Sequence, residues 1–354
     1  MTRPNVFFVL GDITVPNGGA HVIFDFVFRL QDAGIPARML FASKGFHYPF
    51  ADVPPNAAWS SRLMDLRDHY GRGRIGKKLA EARFSLGVEA GDLPEATPVP
   101  GDIVVIPEYC YHKIAPLFPD AHVVILNQDH FGLLRSWSRD PGGHVFAGAA
   151  AVLSTSEACF RAAEILNPRF HEALQLDLDT DRFPFVETKK RQIAFMPRKR
   201  GEEARFVSKL LAERLPDLPQ VEIQGMSREE AAGHIGDSLF FIAFSRQEGF
   251  GLPPAEAMAT GSIVTGFNGV GGAEYLTDDV AFPIPDSDVI GLVDKVVQLV
   301  AEYDEDPTRL DALRRRASSF VVKKYDKGLA TSVLLAKWKG LEKHLAKVNA
   351  PDAG

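Results

Sequence analysis

The chain has 354 residues, 45% hydrophobic and 24% charged, a length that suits two domains of about 150 to 200 residues, each able to bury a core of its own. A net charge of −6 and a pI near 6.0 run against a general nucleic-acid binder, so any polyanion contact is expected to be local. Cys110 and Cys159 are too few for a disulfide framework or a zinc ribbon, and a reducing compartment follows.

The first apolar run, Val6 to Leu10, reads as a strand and is too short for a signal peptide. No stretch approaches the length of a membrane span, so a cytoplasmic protein is expected. After a loop ending in Gly18-Gly19, "AHVIFDFVFRLQDAG" places Val22, Ile23, Phe26, Val27 and Leu30 on one helical face, and Gly34 stops the helix. The strand "ARMLFA" follows. Further strands are expected at Ile103 to Ile106, Val123 to Leu126 and Val152 to Leu153, the last leading into a helix from about Ser156 that Ser154 or Thr155 caps.

The pattern breaks in "NPRFHEALQLDLDTDRFPFVETKKRQ" and restarts with "QIAFM". The boundary is therefore placed between an N-terminal domain, 1–185, and a C-terminal domain, 186–354. The second half repeats the scheme: strand 192–196, helix 202–214, strand 221–224, helix 228–235 and strand 239–244. Beyond these come strand 262–265, a helix over 288–302 and one from 307 to the end, which can pack back on the N-terminal domain. Strands alternating with amphipathic helices specify parallel βαβ units, hence two doubly wound Rossmann-like domains facing each other across a cleft.

The strand "LFFIAF" is apolar throughout, as expected of a central strand covered on both faces. It opens into Gly249-Phe250-Gly251, and Pro253-Pro254 then starts a helix that Gly261 ends. A glycine loop feeding a helix N-terminus at the carboxyl edge of a parallel sheet suits a phosphate; a tight turn needing φ > 0 is the alternative. Glu248 and Glu256 flank that anion seat. A carboxylate accepts two hydroxyl donors at once, so a ligand with hydroxyl pairs on both sides of a diphosphate, a nucleotide sugar, fits. Compensating positive charge is expected from Arg198, Lys199 and Arg200 in "FMPRKRG", if that loop is not simply solvated surface.

Together, Glu248 and Glu256 with seven residues between them in "EGFGLPPAEAMATG", the following "GGAEYL", the linker "LDLDTDRF" and the N-terminal Gly18-Gly19 resemble the retaining GT-B glycosyltransferases of family 4. The resemblance implies that Glu248 holds donor-sugar hydroxyls and Glu256 the ribose. It further implies that Gly249, Phe250 and Gly251 serve the sugar and phosphate, that Gly18 and Gly19 form the N-terminal glycine loop, and that Gly271 and Gly272 shape a neighbouring loop. Arg198 and Lys199 are carried over as the diphosphate cations, although the family spaces its arginine and lysine further apart. The "MPRK" variant is similar to a bacterial subgroup containing rhamnosyltransferases, which implies a deoxythymidine-diphosphate rhamnose donor. The expected activity is sugar transfer from a nucleotide donor to a glycan, lipid-linked or small-molecule acceptor in bacterial polysaccharide or glycoconjugate synthesis. A non-catalytic nucleotide-sugar-binding subunit and a GT-B epimerase are the rival readings.

His130 and Asp129, in "LNQDHFG", are candidates facing the cleft, with a structural histidine as the alternative; His21 beside Gly18-Gly19 is equally a helix-surface residue. Residues 62–83 are rich in Arg and Lys and suit an anionic lipid-linked acceptor or a peripheral site on the inner face of the membrane, or a solvated segment. Asp177, Asp179 and Asp181 mimic a metal-binding Asp-x-Asp but are read as linker acids, and neither metal nor cofactor is expected. No P-loop and no dinucleotide glycine spacing occurs.

Overall fold

The computed structural model describes residues 3–13, 17–46, 48, 50, 52–66 and 91–348. The first sheet contains β1 (Val6–Val9), β2 (Ala37–Phe41), β3 (Ala58–Trp59), β4 (Ile103–Pro107), β5 (His122–Asn127), β6 (Ala151–Ser154) and β7 (His171–Ala173), in the order β3-β2-β1-β4-β5-β6-β7. The second contains β8 (Lys190–Phe195), β9 (Gln220–Glu222), β10 (Ser238–Glu248), β11 (Ile263–Val270) and β12 (Phe282–Pro283), in the order β12-β11-β10-β8-β9. Every pairing within these sheets is parallel. Central β10 is buried from Ser238 to Ser245, which is why its sequence is an unbroken apolar run instead of an alternating one.

Each sheet reverses its direction of winding once. In the first the reversal lies between β1 and β4; in the second it lies between β8 and β10. Crevices open beyond the carboxyl ends of strands at such reversals. The loops that follow β1, β4, β8 and β10 therefore carry the residues that can meet a ligand between the two sheets.

The longer helices are α1 (Gly18–Asp32), α2 (His130–Trp137), α3 (Glu157–Ala163), α4 (Gly201–Arg214), α5 (Arg228–Asp237), α6 (Leu252–Ala259), α7 (Val289–Glu305), α8 (Thr308–Lys324) and α9 (Lys327–Val348). Three local expectations need correction. The cap of α3 is Ser156, whose hydroxyl accepts from the Cys159 amide at 3.1 Å, because Ser154 is still pairing inside β6. Strand β10 continues to Glu248, since Glu248 still pairs with Val270 beyond a bulge. The final helix from 307 is two helices: Asp326 turns back to accept the Leu329 amide at 2.8 Å, while the Tyr325 hydroxyl donates to Glu274 at 2.8 Å.

That break redirects α9 onto the first sheet. Trp338 is buried and stacks on Phe8 with ring centroids 6.0 Å apart, Lys337 pairs with Glu172 at 2.5 Å, and Arg3 pairs with Glu342 at 2.8 Å. Buried Arg314 on α8 donates to the carbonyls of Val186, Glu187 and Gly261 at 2.6 to 3.0 Å, tying the strand-to-strand crossing to the second domain. Among the described residues, no helix is long and apolar enough to cross a membrane.

Candidate active site

Two adjoining cavities fill the cleft, one of about 420 Å³ and one of about 980 Å³, sharing Asn17, Gly18, Met196, Arg198, Leu252 and Pro253 in their walls. Glu248, Lys199 and the Gly249 to Gly251 loop line the smaller cavity, whereas Glu256 lines the larger one. Arg198 stands at their junction.

Glu248 closes β10. Its carboxylate lies 3.3 Å from the Lys199 ammonium, which also donates to the Gln247 carbonyl at 2.9 Å. Three non-glycine residues take left-handed backbone angles around this pair: Arg198 (φ 25°), Gln247 (φ 50°) and Val270 (φ 74°). For a β-branched residue such as Val270 that conformation is a true outlier, and clustered strain of this kind marks sites where geometry is held for function.

The three cations of "RKR" separate on folding. Arg198 and Lys199 are exposed, while Arg200 is 3% exposed and committed to the protein. It donates to the Ser245 carbonyl at 3.0 Å, pairs with Glu203 and Asp286, and lies 4.6 Å over the Phe267 ring. Arg200 therefore holds the loop, and Arg198 and Lys199 are the pair left to meet a ligand.

Helix α6 starts from Gly251, whose φ of 84° favours glycine. Pro253 and Pro254 remove two of the amide donors that a helix start ordinarily offers an anion. The dipole remains, but with fewer hydrogen-bond donors behind it, so an anion seated there would depend more on side-chain cations. Gly249 is required by a close approach: a Cβ there would run into the Gln128 carbonyl of the first domain. Gly271 is required in the same way, packed against the carbonyls of Glu248 and Gly249, and with Gly272 it is buried behind the loop, outside the lining of either cavity. Phe250 packs between Tyr275 and Tyr325, with centroids 5.0 and 4.9 Å away.

Glu256 is 8% exposed, and burial pushes its carboxyl up to about 7. Across the cleft, α1 begins at Gly18 and Gly19 under an Asn17 cap that accepts from the Ala20 amide at 3.1 Å. His21, in the wall of the larger cavity, is held neutral, its pKa pushed down to about 4 by burial and then by Arg228 and Arg182. His130 is 8% exposed, burial lowers its pKa, and it feels the charges of Asp129, Lys199 and Glu248. It sits behind the cavity wall that Gln128 and Asp129 line.

Two of the linker acids, Asp177 and Asp179, are engaged by arginines. Asp177 pairs with Arg29 at 2.6 Å, and Asp179 lies 3.6 Å from Arg182 and 3.8 Å from Arg228. Among the described residues, no group of three or more His, Cys, Asp or Glu side chains is placed to hold a metal ion. Residues 67–83 of the basic segment lie outside the described residues, and Arg62 donates to the Leu117 carbonyl at 2.9 Å.

Sequence reasoning missed three residues here. Glu108, at the carboxyl end of β4, lines the smaller cavity, and Arg228, the first residue of α5, lines the larger. Glu274 accepts the Glu157 amide from the first domain at 3.0 Å. Glu108 had a local signal, an acid directly after an apolar strand in "IVVIPE", and Glu274 lies within "GGAEYL"; Arg228 had none.

Two facing doubly wound domains with the ligand groups at their strand ends define the GT-B fold. Residues 183–302 match the family described as glycosyl transferases group 1. An alpha-1,6-glucosyltransferase of Actinobacillus pleuropneumoniae is 34% identical over 118 residues, 32% of this chain and 36% of that protein; the chain thus spans about a third of the length of that curated relative. Among solved structures, sucrose-phosphate synthase from Thermosynechococcus elongatus is similar with a TM-score of 0.66 at 12% identity, over 96% of this chain and 99% of that one. A TarM mutant of S. aureus, solved with fondaparinux, alpha-GlcNAc-glycerol and UDP, gives 0.65 at 11% identity over 96% and 99%. HepE of Anabaena, solved with UDP-glucose, gives 0.58 at 12% identity over 96% and 99%. At such identities these likenesses show the fold.

Proposed function

We propose that the protein is a retaining glycosyltransferase that moves a sugar from a nucleoside-diphosphate donor to a glycan, lipid-linked or small-molecule acceptor, working in bacterial polysaccharide or glycoconjugate synthesis in the cytoplasm or at the inner face of the membrane. One observation carries this reading. Arg198 stands where two cavities meet, with Glu248 in one and Glu256 in the other. A sugar, a diphosphate and a nucleoside laid through the cleft would meet a hydroxyl acceptor, a cation and a second hydroxyl acceptor in that order. Glu248 binds sugar hydroxyls, Arg198 and Lys199 take the diphosphate, and Glu256 accepts the ribose diol. The acceptor oxygen bonds to the anomeric carbon as the carbon–phosphate oxygen bond breaks, and the leaving phosphate takes the acceptor proton on the same face. The protein supplies position and charge.

The likeness to structures solved with UDP and UDP-glucose makes UDP sugars the first donors to test, with dTDP-rhamnose beside them. Thermal shifts with such a panel, followed by a transfer or donor-hydrolysis assay, decide the matter. Affinity without turnover on any donor would reject the enzyme in favour of a binding subunit.

Two outcomes are expected. Because Glu256 ionises near 7 and hydroxyl donors favour its ionised form, nucleotide affinity should rise with pH from about 6 to 8, up to about tenfold per unit below 7. Glu256→Gln should flatten that dependence and weaken free nucleotide roughly ten- to a hundredfold, the loss of a charged hydrogen bond. Calorimetric titration at several pH values checks both, and equal nucleotide affinity in the wild type and Glu256→Gln would reject the ribose assignment. The second expectation is that transfer proceeds in excess EDTA at near the untreated rate, since fixed cations stabilise the leaving diphosphate and Asp177 and Asp179 already face arginines. Loss of activity with EDTA and its return with Mn²⁺ would contradict this.

A further inference from the structure

Glu108 follows β4 at the winding reversal of the first sheet, and its side chain is 4% exposed. One carboxyl oxygen, Oε2, accepts the Gln128 amide at 3.0 Å. The other, Oε1, lies under α2, where Gly132 leaves room: a Cβ there would approach it to 2.9 Å. The turn held in this way, Gln128 to His130, is the part of the first domain on which Gly249 packs, through the Gln128 carbonyl. It also carries Asp129, the cap of α2, and His130, which feels both Lys199 and Glu248. Glu108 thus joins two strand-end loops on one side of the cleft, and the loop it supports touches the glycine loop of the other side.

We propose that Glu108 is a positioning residue for the transfer site: its buried carboxyl group, anchored on the Gln128 amide, fixes the Gln128–His130 turn against Gly249 and so sets where His130 stands relative to the Lys199–Glu248 pair. The proposal rests on the glycosyltransferase reading for its activity assay alone.

The carboxyl group does this as the neutral acid. Burial pushes Glu108 up to about 8, only partly offset by the Gln128 amide, and neighbouring Asp129 raises it further. Of the other groups around it, Asp129 supplies the negative charge that raises it, while burial raises Cys110 and pushes Cys159 up to about 12, so these thiols ionise only after Glu108. Ionisation places a negative charge beneath Asp129 and against the buried underside of α2, which loosens the turn. The sign follows: a carboxyl whose pKa is raised from 4.5 to about 8 supports the closed turn in full only below the ordinary value, and that support is lost progressively as pH rises until the closed form itself ionises near 8.

Glu108→Gln and Glu108→Ala test this in the full chain, with UDP release from saturating UDP-glucose (or whichever donor the panel selects) and the His130 ring resonances as readouts. Glu108→Gln keeps the shape of the neutral acid without its titration. It should hold kcat at pH 7 within about threefold of wild type and abolish the fall in kcat between about pH 8 and 9. Glu108→Ala should lower kcat on the order of 10²-fold, the effect of a misplacement of about 1 Å, while UDP affinity stays within about twofold. In Glu108→Ala the His130 pKa should return toward its ordinary value as the turn releases it; in Glu108→Gln it should not. The proposal is overturned if Glu108→Gln is as impaired at pH 7 as Glu108→Ala, if it keeps the alkaline fall, or if Glu108→Ala leaves the His130 titration unchanged. A wild type without turnover on any donor would instead reject the glycosyltransferase reading, and the His130 titration would still decide the role of Glu108.

Discussion

Lys199→Ala is expected to lower kcat for sugar transfer on the order of 10²-fold or more, with a smaller loss of nucleotide affinity. The reason lies in the two bonds of its ammonium, to Glu248 at 3.3 Å and to the Gln247 carbonyl at 2.9 Å. On the proposed mechanism, removing it would take a cation from the place where the leaving diphosphate gains charge, and it would also leave the Glu248 carboxylate without its counter-ion. Arg198→Ala should cost about as much, because Arg198 faces both cavities and Pro253 and Pro254 have stripped amide donors from the start of α6. Lys199→Arg should recover part of the rate, since the charge returns without the compact ammonium. Steady-state kinetics at saturating donor measure the loss; a kcat within about threefold of wild type for both alanine variants would remove these cations from the mechanism.

Gly249→Ala is the second large effect, and its cause is steric. The added methyl would meet backbone, the Gln128 carbonyl and the Asp129 Cα at 3.1 Å, and backbone has no rotamer with which to yield. The two domains must separate there or the glycine loop must retreat from the smaller cavity. On the proposed reading either change would misplace the sugar relative to the acceptor side, so kcat/KM should fall about 10²-fold or more, while free nucleotide, proposed to sit at Glu256 in the other cavity, should bind within a few fold. Solution scattering should show Gly249→Ala more open than the wild type in saturating donor, as expected if catalysis needs the cleft closed. Superimposable curves together with unchanged kinetics would mean that the contact between Gly249 and Gln128 does not govern the working state.

Much of the architecture was legible along the chain because it is written in local periodicity. A short apolar run such as 239–244, bounded by a glycine loop, reads as a covered strand, and the alternation of such runs with amphipathic segments leaves few topologies besides two doubly wound sheets. Capping and helix breaks were less legible. Whether Ser154 or Ser156 caps α3 depends on how far β6 goes on pairing with β5, and the break before α9 depends on Glu274, about fifty residues earlier in the chain, receiving the Tyr325 hydroxyl.

By itself, then, the sequence determined the two sheets, the glycine loop between Glu248 and Glu256, and the cluster of cations after β8, since each is a pattern within a few residues of itself. Only the tertiary structure decided what those residues face. Arg200 turns inward to Ser245 and Phe267 while Arg198 and Lys199 stay outside; Asp177 and Asp179 meet Arg29 and Arg228, brought from other segments; Glu108 is buried beneath a turn that begins at Gln128. The physical reason is common to all three. A side chain's charge state and partner are set by which distant segments exclude water around it, and that is a property of the packed fold, not of neighbours in the chain.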